Sequence, residues 1–244
     1  MNTKINRSSK VPLYYQLYEL LHDQIKEDVW KPDDKLPTES ELMEEYEVSR
    51  ATVRQAFDIL VNQGWVYRRQ GQGTFVSPPT FEQNLNRIVS FWEDMQQRGL
   101  EPGTRVLSSE LCRASEEIAE SLQVDPGEEL ASLVRLRLAD GEPMSVEHSL
   151  LIHRYCPGVL EQDYANHSLR RMLVDEYNIR IVSAQQKIRA VSASKYYADL
   201  LHIKRNAPLL YMERVSYTDQ RIPIEYLEIH LRGDRYTFHT ELRD

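Results

Sequence analysis

The sequence predicts an α+β chain in two parts: a small helical head that ends in a β-hairpin, then a larger domain on a mostly antiparallel sheet. Three observations carry this. Apolar residues recur at helical spacing, with capping signals between them, as far as residue 64. A β-favouring stretch around a glycine-rich centre follows at 65–77. Beyond about residue 84 most segments alternate apolar and polar side chains and are joined by short turns.

The bulk composition fits a folded chain. With 244 residues, 41% of them hydrophobic, it can bury a core in one large or two small domains, which excludes the disordered and fibrous classes. Its two cysteines, Cys112 and Cys156, are too few for a disulfide framework and suit a reducing compartment. The N-terminal MNTKINRSSK is polar and is followed by no apolar signal region, and no run of about 18 apolar residues occurs. A soluble, cytoplasmic protein with no membrane partner is expected. A formal net charge of −8 does not favour nucleic acid, unless the charge is unevenly placed.

The elements follow in order. PLYYQLYELLHDQIKE (12–27) carries Leu13, Leu17, Leu20, Leu21 and Ile25 at helical spacing, and Pro12 suits a first turn. KPDDKLP (31–37) stops that helix. Thr38 and Glu41 have capping-box spacing and open a second short helix; Ser49 caps a third, which ends near Gly64. WVYR and TFV, flanking Gln70-Gly71-Gln72-Gly73, form a hairpin. Pro78-Pro79 begins a linker, taken as 78–87, between a first domain at 1–77 and a second at 88–244. The second domain reads as helix 88–99, a strand in TRVLSSELCR, helix 115–123, and two strands across 129–151 about the turn Asp140-Gly141. Helix 168–176, strand 179–192, helix 194–202 and strands 208–218, 222–231 and 235–242 complete it.

Two short helices, a tight turn and a hairpin make the winged helix-turn-helix plan, which reads DNA with its second recognition helix. In the stretch VSRATVRQAF and just beyond, Val53, Ala56, Phe57 and Leu60 form the buried stripe, leaving Ser49, Arg50, Thr52 and Arg54 outside. Arginine can bond guanine in a bidentate way, and hydroxyls with helix-end amides suit phosphate oxygens. From Val48 to Val76 the basic residues are Arg50, Arg54, Arg68 and Arg69 against Asp58 alone, whereas the preceding helix carries Glu39, Glu41, Glu44, Glu45 and Glu47. Basic charge is thus concentrated where DNA would lie. The tip glycines, Gly71 and Gly73, lack bulk and can enter a minor groove. The candidate DNA-contacting set is Thr38, Ser49, Arg50, Thr52, Arg54, Arg68, Arg69 and Gly71. The bland alternative is a solvated face of surface salt bridges to the Glu-rich helix.

In the second domain Arg135 and Arg137 alternate with Val134, Leu136 and Leu138 and share one face of a strand, with Glu147 on the partner strand. Such arginines are costly unless they meet an anion or a carboxylate. They either pair with Glu147 and Glu225 or bind a ligand. Ser168, as an N-cap, could add helix-end amides to an anion site.

PLYYQLYELLHDQI, LPTESELMEEYEVSRATVRQAFDILVNQGWVYRRQGQGTFV and the closing RGDRYTF resemble the GntR family of bacterial transcription regulators, in its HutC-type branch. That resemblance implies a winged helix joined to a UTRA effector-binding domain with a chorismate-lyase-like fold. It also implies a homodimer on a palindromic operator, and a small anionic effector such as a sugar phosphate or a carboxylate. On it, Ser90, Arg135 and Arg137 would hold the effector's anionic group, and Glu147 and Glu225 its hydroxyl or amide groups. Sugar-phosphate-binding relatives carry a Tyr where this chain has Leu231, before Arg232.

Two other classes compete. An enzyme on the same fold would need chemistry the sequence does not offer: the seven histidines have no metal-ligand spacing, no GxSxG occurs, and His148 faces away from Glu147. A protein-interaction adaptor leaves the wing arginines and the Arg-x-Arg strand unexplained. No cofactor or metal is called for.

Overall fold

The computed structural model describes residues 5–242 apart from 70, 79 and 166. Gln70 of the hairpin tip and Pro79 of the linker therefore lie outside the described residues. The chain divides into two compact units, Met1–Pro79 and Thr80–Asp244.

The first unit holds helices α1 (Leu13–Lys26), α2 (Glu39–Tyr46) and α3 (Arg50–Asn62) and the hairpin strands β1 (Val66–Arg69) and β2 (Gly73–Val76). The capping box at α2 is complete: Thr38 accepts from Glu41 N and the Glu41 carboxylate accepts from Thr38 N. Glu47, in the left-handed region, ends α2, and Ser49 restarts the chain as the cap of α3. Val53, Ala56, Phe57 and Leu60 form the buried stripe of α3, packed with Leu17, Leu21 and Ile25 of α1. The hairpin is pinned to the preceding turn, with Leu36 N bonding Thr74 O at 2.9 Å and Val76 N bonding Asp34 O at 2.9 Å. Gly73 sits there at φ +128°, a conformation that favours glycine, whereas the Lys35 Cε that a Cβ would meet at 2.7 Å belongs to a flexible side chain that can move aside.

The second unit is a six-stranded antiparallel sheet with helices. Its strands are β4 (Pro102–Arg113), β5 (Glu129–Ala139), β6 (Glu142–Ile152), β7 (Ile181–Ser192), β8 (Pro208–Thr218) and β9 (Pro223–Arg232), in the order β4-β5-β6-β9-β8-β7. Asp140 and Gly141 join β5 to β6 with φ of 48° and 77°, as a two-residue turn with two positive φ angles requires. The helices are α4 (Phe91–Gln97), α5 (Glu116–Leu122), α6 (Leu169–Tyr177) and α7 (Lys195–Leu201).

Three expectations change. Of the segment read as linker, Phe81–Asn84 is strand β3, paired in parallel with β10 (Tyr236–His239). The last strand is accordingly shorter than 235–242 and joins this two-stranded sheet instead of the main one. FEQN has little alternation of its own; what holds it is a remote partner and Phe81, buried against Tyr236 at 5.6 Å between ring centroids. The helix expected over 88–99 begins later, at Phe91, because Ser90 caps it through Glu93 N.

The register puts Arg135 opposite Glu147, and Arg137 opposite Ser145. Glu225, on β9, and Arg214, on β8, fall on the same face of the next two strands, with Ser216 opposite Glu225 and Arg214 opposite Leu227. The other face packs Leu136 and Val146 against Ala198 and Leu201 of α7.

Candidate functional site

Two sites emerge, one in each unit. On the first unit, Arg50 and Arg54 are both exposed on α3. Arg50 Nε lies 3.7 Å from the Glu39 carboxylate, whereas Arg54 has no ion pair among the described residues. Ser49 and Thr52 are occupied with each other, since Ser49 Oγ accepts from Thr52 N at 3.2 Å and lies 2.9 Å from Thr52 Oγ1. The wing arginines are held more firmly than their sequence suggests. Arg68 pairs with Asp58 at 2.8 Å. Arg69 donates to the Tyr67 hydroxyl at 2.7 Å, lies 3.6 Å from Asp33, and stacks over Phe75 at 4.8 Å. A concavity of about 320 Å³ brings Thr38, Arg68, Arg69 and Gly71 together; Ser49, Arg50, Thr52 and Arg54 are not in its lining. Lys35 also lines it and escaped the sequence reading, being one charge in a Pro- and Asp-rich turn.

On the second unit one cavity of about 100 Å³ is lined by all six candidates, Ser90, Arg135, Arg137, Glu147, Ser168 and Glu225. Arg135 and Arg137 are each 3% exposed. Arg135 donates to Ser149 Oγ at 2.9 Å and lies 3.1 Å from Glu147. Arg137 donates to Thr104 Oγ1 at 2.7 Å, lies 3.6 Å from Glu147, and sits over the Phe91 ring at 4.7 Å. Glu147 is thus their shared carboxylate. Glu225 is not: it accepts from Ser216 Oγ at 3.1 Å and has no ion pair within 4 Å among the described residues. The Nε–H groups of both arginines are buried with no hydrogen-bond partner. Burial pulls Arg137 down to about 10 despite Glu147, a measure of how poorly its charge is solvated.

Two arginines in this lining were missed, Arg170 and Arg214. Arg214 alternates with Glu213 and Val215 on β8 and shares a face with Met212 and Ser216, a weaker form of the signal that singled out Arg135 and Arg137. It donates to Gln186 Oε1 from Nε at 3.1 Å and from Nη2 at 2.9 Å, and burial lowers its pKa. Arg170 lies on a helix, where no strand alternation exposes it. The lining therefore has four arginines against Asp94, Glu147 and Glu225, and Asp94 is already paired with Arg98 at 2.9 Å. The two serines differ. Ser90 spends its hydroxyl on the α4 cap, 3.2 Å from Glu93 N. Ser168 stands at the N-cap of α6 without a side-chain cap bond, so its hydroxyl is uncommitted to the helix.

On the opposite sheet face His148 lies between Ser132 Oγ at 2.9 Å and the Glu228 carboxylate at 3.6 Å. This imitates a nucleophile triad, but Ser132 is buried, out of reach of a substrate. Among the described residues no group of His, Cys, Asp and Glu is placed to hold a metal ion. No helix among them is long and apolar enough to cross a membrane.

A winged head on one unit and a cationic cavity in a sheet domain on the other fit a DNA-binding regulator. Residues 13–76 match the bacterial regulatory proteins of the gntR family, and residues 97–237 match the UTRA domain. The chain belongs to the GntR family of transcription regulators, with a C-terminal UTRA domain. It is 38% identical to the HTH-type transcriptional repressor NagR of Bacillus subtilis over 96% of both chains. It is 32% identical to the uncharacterized HTH-type transcriptional regulator YurK of the same organism, over 96% of this chain and 97% of that one. The crystal structure of PhnF from Mycobacterium smegmatis superposes with a TM-score of 0.69 at 30% identity, covering 93% of this chain and 98% of that one. These kinships are to transcription regulators and set the enzyme reading aside.

Proposed function

We propose that this regulator is a repressor whose operator binding is controlled by a small anion, a sugar phosphate or a small carboxylate, held in the cavity of the second unit. The observation that carries it is the pair of buried guanidinium Nε–H groups on Arg135 and Arg137 that make no hydrogen bond, that of Arg137 lying 3.6 Å from Glu147, in a lining with surplus positive charge. A buried donor left unmade costs about 1–3 kcal/mol, more for a charged group, and an anion removes that cost. Ser168 and Ser90 flank the anion, and Glu147 and Glu225 face the rest of the ligand. Leu231 lines the cavity as well, so one hydroxyl contact available to a tyrosine there is absent. The sign of regulation is supported by the similarity to a protein named a repressor. Residues 1–77 read the operator through Ser49, Arg50, Thr52 and Arg54 on α3, with Thr38, Arg68, Arg69 and Gly71 on the flanking phosphates and minor groove. One such head covers few base pairs, so the protein acts in the cytoplasm as a homodimer on a palindrome, joined through the second unit.

The test is thermal shift of the full chain against phosphorylated sugars, small carboxylates and inorganic phosphate, beside Arg135→Ala. At least one anion should stabilise the wild type and not the variant, while gel shift shows operator binding unchanged by the substitution. Failure of every anion to stabilise the wild type would end this reading.

A further inference from the structure

The four arginines of the cavity form two pairs held toward opposite edges of the sheet. Arg135 and Arg137 share the Glu147 carboxylate, and the Arg137 guanidinium reaches Thr104 on the edge strand β4. Arg214 leans the other way, because Gln186 on the far edge strand β7 accepts from its Nε and Nη2. Arg170, in the first turn of α6, also reaches β7: Nη2 donates to Ile181 O at 3.1 Å, while Nη1 donates to Ile88 O at 2.7 Å. Every acceptor of this second pair is uncharged, and neither has a carboxylate within 4 Å among the described residues. Burial lowers the pKa of Arg214; Glu225 raises it from a distance, Glu147 does so less, and Arg170 lowers it again. The Nη1 of Arg214 makes no hydrogen bond among the described residues and is not fully buried, which leaves two N–H donors to face the cavity. Each end of the cavity thus has two arginines and one glutamate, Glu147 or Glu225. Because β6 and β9 separate β5 from β8, the two ends lie about 14 Å apart at the backbone. Leu227 and Ile229 make the floor between them apolar.

We propose that the cavity has a second anion seat at Arg170 and Arg214, so that its ligand is a small metabolite with an acidic group at each end, of the class of phosphorylated sugar acids. This names the ligand of the anion site proposed above and rests on that reading. One tetrahedral anion held by Arg135 and Arg137 cannot also reach a guanidinium that Gln186 fixes over β7. A cation buried among neutral acceptors is poorly compensated, and a hydrogen bond to an ionised oxygen is roughly twice as strong as one to a neutral oxygen. With the phosphate at Arg135 and Arg137, a carboxylate at the other end of the ligand meets the open Nη1 of Arg214. The single positive charge left over at each end is then matched. Glu225, occupied only by Ser216 Oγ at 3.1 Å, has lone pairs left for hydroxyl groups of the chain between the two acids. A sugar phosphate with no second acid leaves the Arg214 donors without an anion, and a polar site discriminates most strongly against an analogue that lacks its partner group.

Calorimetric titration of the full-length protein tests this with matched probes: aldonic acid phosphates of three, four and six carbons, each beside the alditol phosphate of the same length. Within a pair only the end opposite the phosphate differs, a carboxylate in one and a hydroxymethyl group in the other. At least one acid should bind the wild type about tenfold more tightly than its alcohol, roughly 1.4 kcal/mol. In Arg214→Gln that pair should bind alike, with the affinity of the alcohol unchanged. Arg170→Gln covers the case where the first variant does not fold, and it should reduce the preference by more than half. Arg189→Gln should keep the preference in full, since Arg189 is exposed, paired with Glu213 and on the other sheet face beside Tyr211. Equal binding of acid and alcohol by the wild type at every length would overturn the second seat and spare the first. A preference that survives in both Arg214→Gln and Arg170→Gln would overturn its assignment to these arginines. No binding of any of the six compounds, or of inorganic phosphate, would overturn both readings.

Discussion

Replacing Glu147 by Gln removes the one carboxylate that Arg135 and Arg137 share, and leaves two guanidinium groups buried with hydroxyl partners only. The two attractions act over 3.1 and 3.6 Å. At an effective dielectric of about 20 each is worth roughly 5 kcal/mol before desolvation. Much of that is offset by the cost of burying the carboxylate. Cases where one partner of a buried pair is deleted lose about 3–5 kcal/mol, because the charge left behind is uncompensated. A loss of that size in a unit as large as Thr80–Asp244 corresponds to roughly 6–20 °C in melting temperature. Calorimetry, which resolves the transitions of the two units, is the assay. The deficit should also be repairable: inorganic phosphate supplies the missing negative charge, so it should stabilise Glu147→Gln by more than it stabilises the wild type. A loss below about 1 kcal/mol would mean the arginines are not dependent on Glu147. Equal stabilisation of both proteins by phosphate would mean the anion does not sit beside them.

Three further outcomes are expected. Arg50→Ala should cost about 1–3 kcal/mol of specific operator binding and relax preference at one base per half-site, whereas Arg68→Ala should weaken binding evenly and reduce the salt slope by about one; gel shifts over a salt series separate them. His230 is pushed by burial from 6.5 to about 4, so between those values the unfolded chain takes up the proton and the folded chain does not. Stability should therefore fall as pH drops through that window, by on the order of 1–2 kcal/mol after discounting for partial exposure, and His230→Gln should flatten the curve in denaturant titrations. A chain lacking residues 1–78 should sediment as a dimer at micromolar concentration; a monomer would move the interface out of the second unit.

Local signals made most elements legible. Thr38 with Glu41, Ser49 before an apolar stripe, and Asp140-Gly141 between alternating strands each declare their structure within a few residues, and each forms as read. Arg135 and Arg137 were legible for the same reason, because strand alternation fixes which face a residue shares. What stayed hidden was set by distant partners. Phe81–Asn84 is a strand only because Tyr236–His239 lies beside it. Arg170 matters through the carbonyls of Ile88 and Ile181, which no spacing along α6 reveals. Arg69 looked like a free cation and is instead clamped by Tyr67, Phe75 and Asp33, a cluster assembled by the pairing of the hairpin with the turn before it.

That clamp bears on how a chain of net charge −8 can serve a polyanion. Arg50, Arg68 and Arg69 each have an acidic neighbour, Glu39, Asp58 and Asp33, and in each pair both side chains are at least one-third exposed. Exposed pairs of this kind contribute about 0–1 kcal/mol, so on the proposed reading little would be lost when a base edge (at Arg50) or a phosphate (at Arg68 and Arg69) took the place of the carboxylate. Until then the carboxylates hold the long side chains near their working positions, which lowers the entropy lost when they dock. They also neutralise the head locally, which weakens adhesion to arbitrary DNA, where charge supplies nearly all the affinity. On the reading proposed above, Arg54, the one of these arginines with no ion pair among the described residues, would be the group left to start the encounter. If the proposed contacts hold, the acidic neighbours trade general stickiness for selectivity, and the low overall charge is compatible with operator binding.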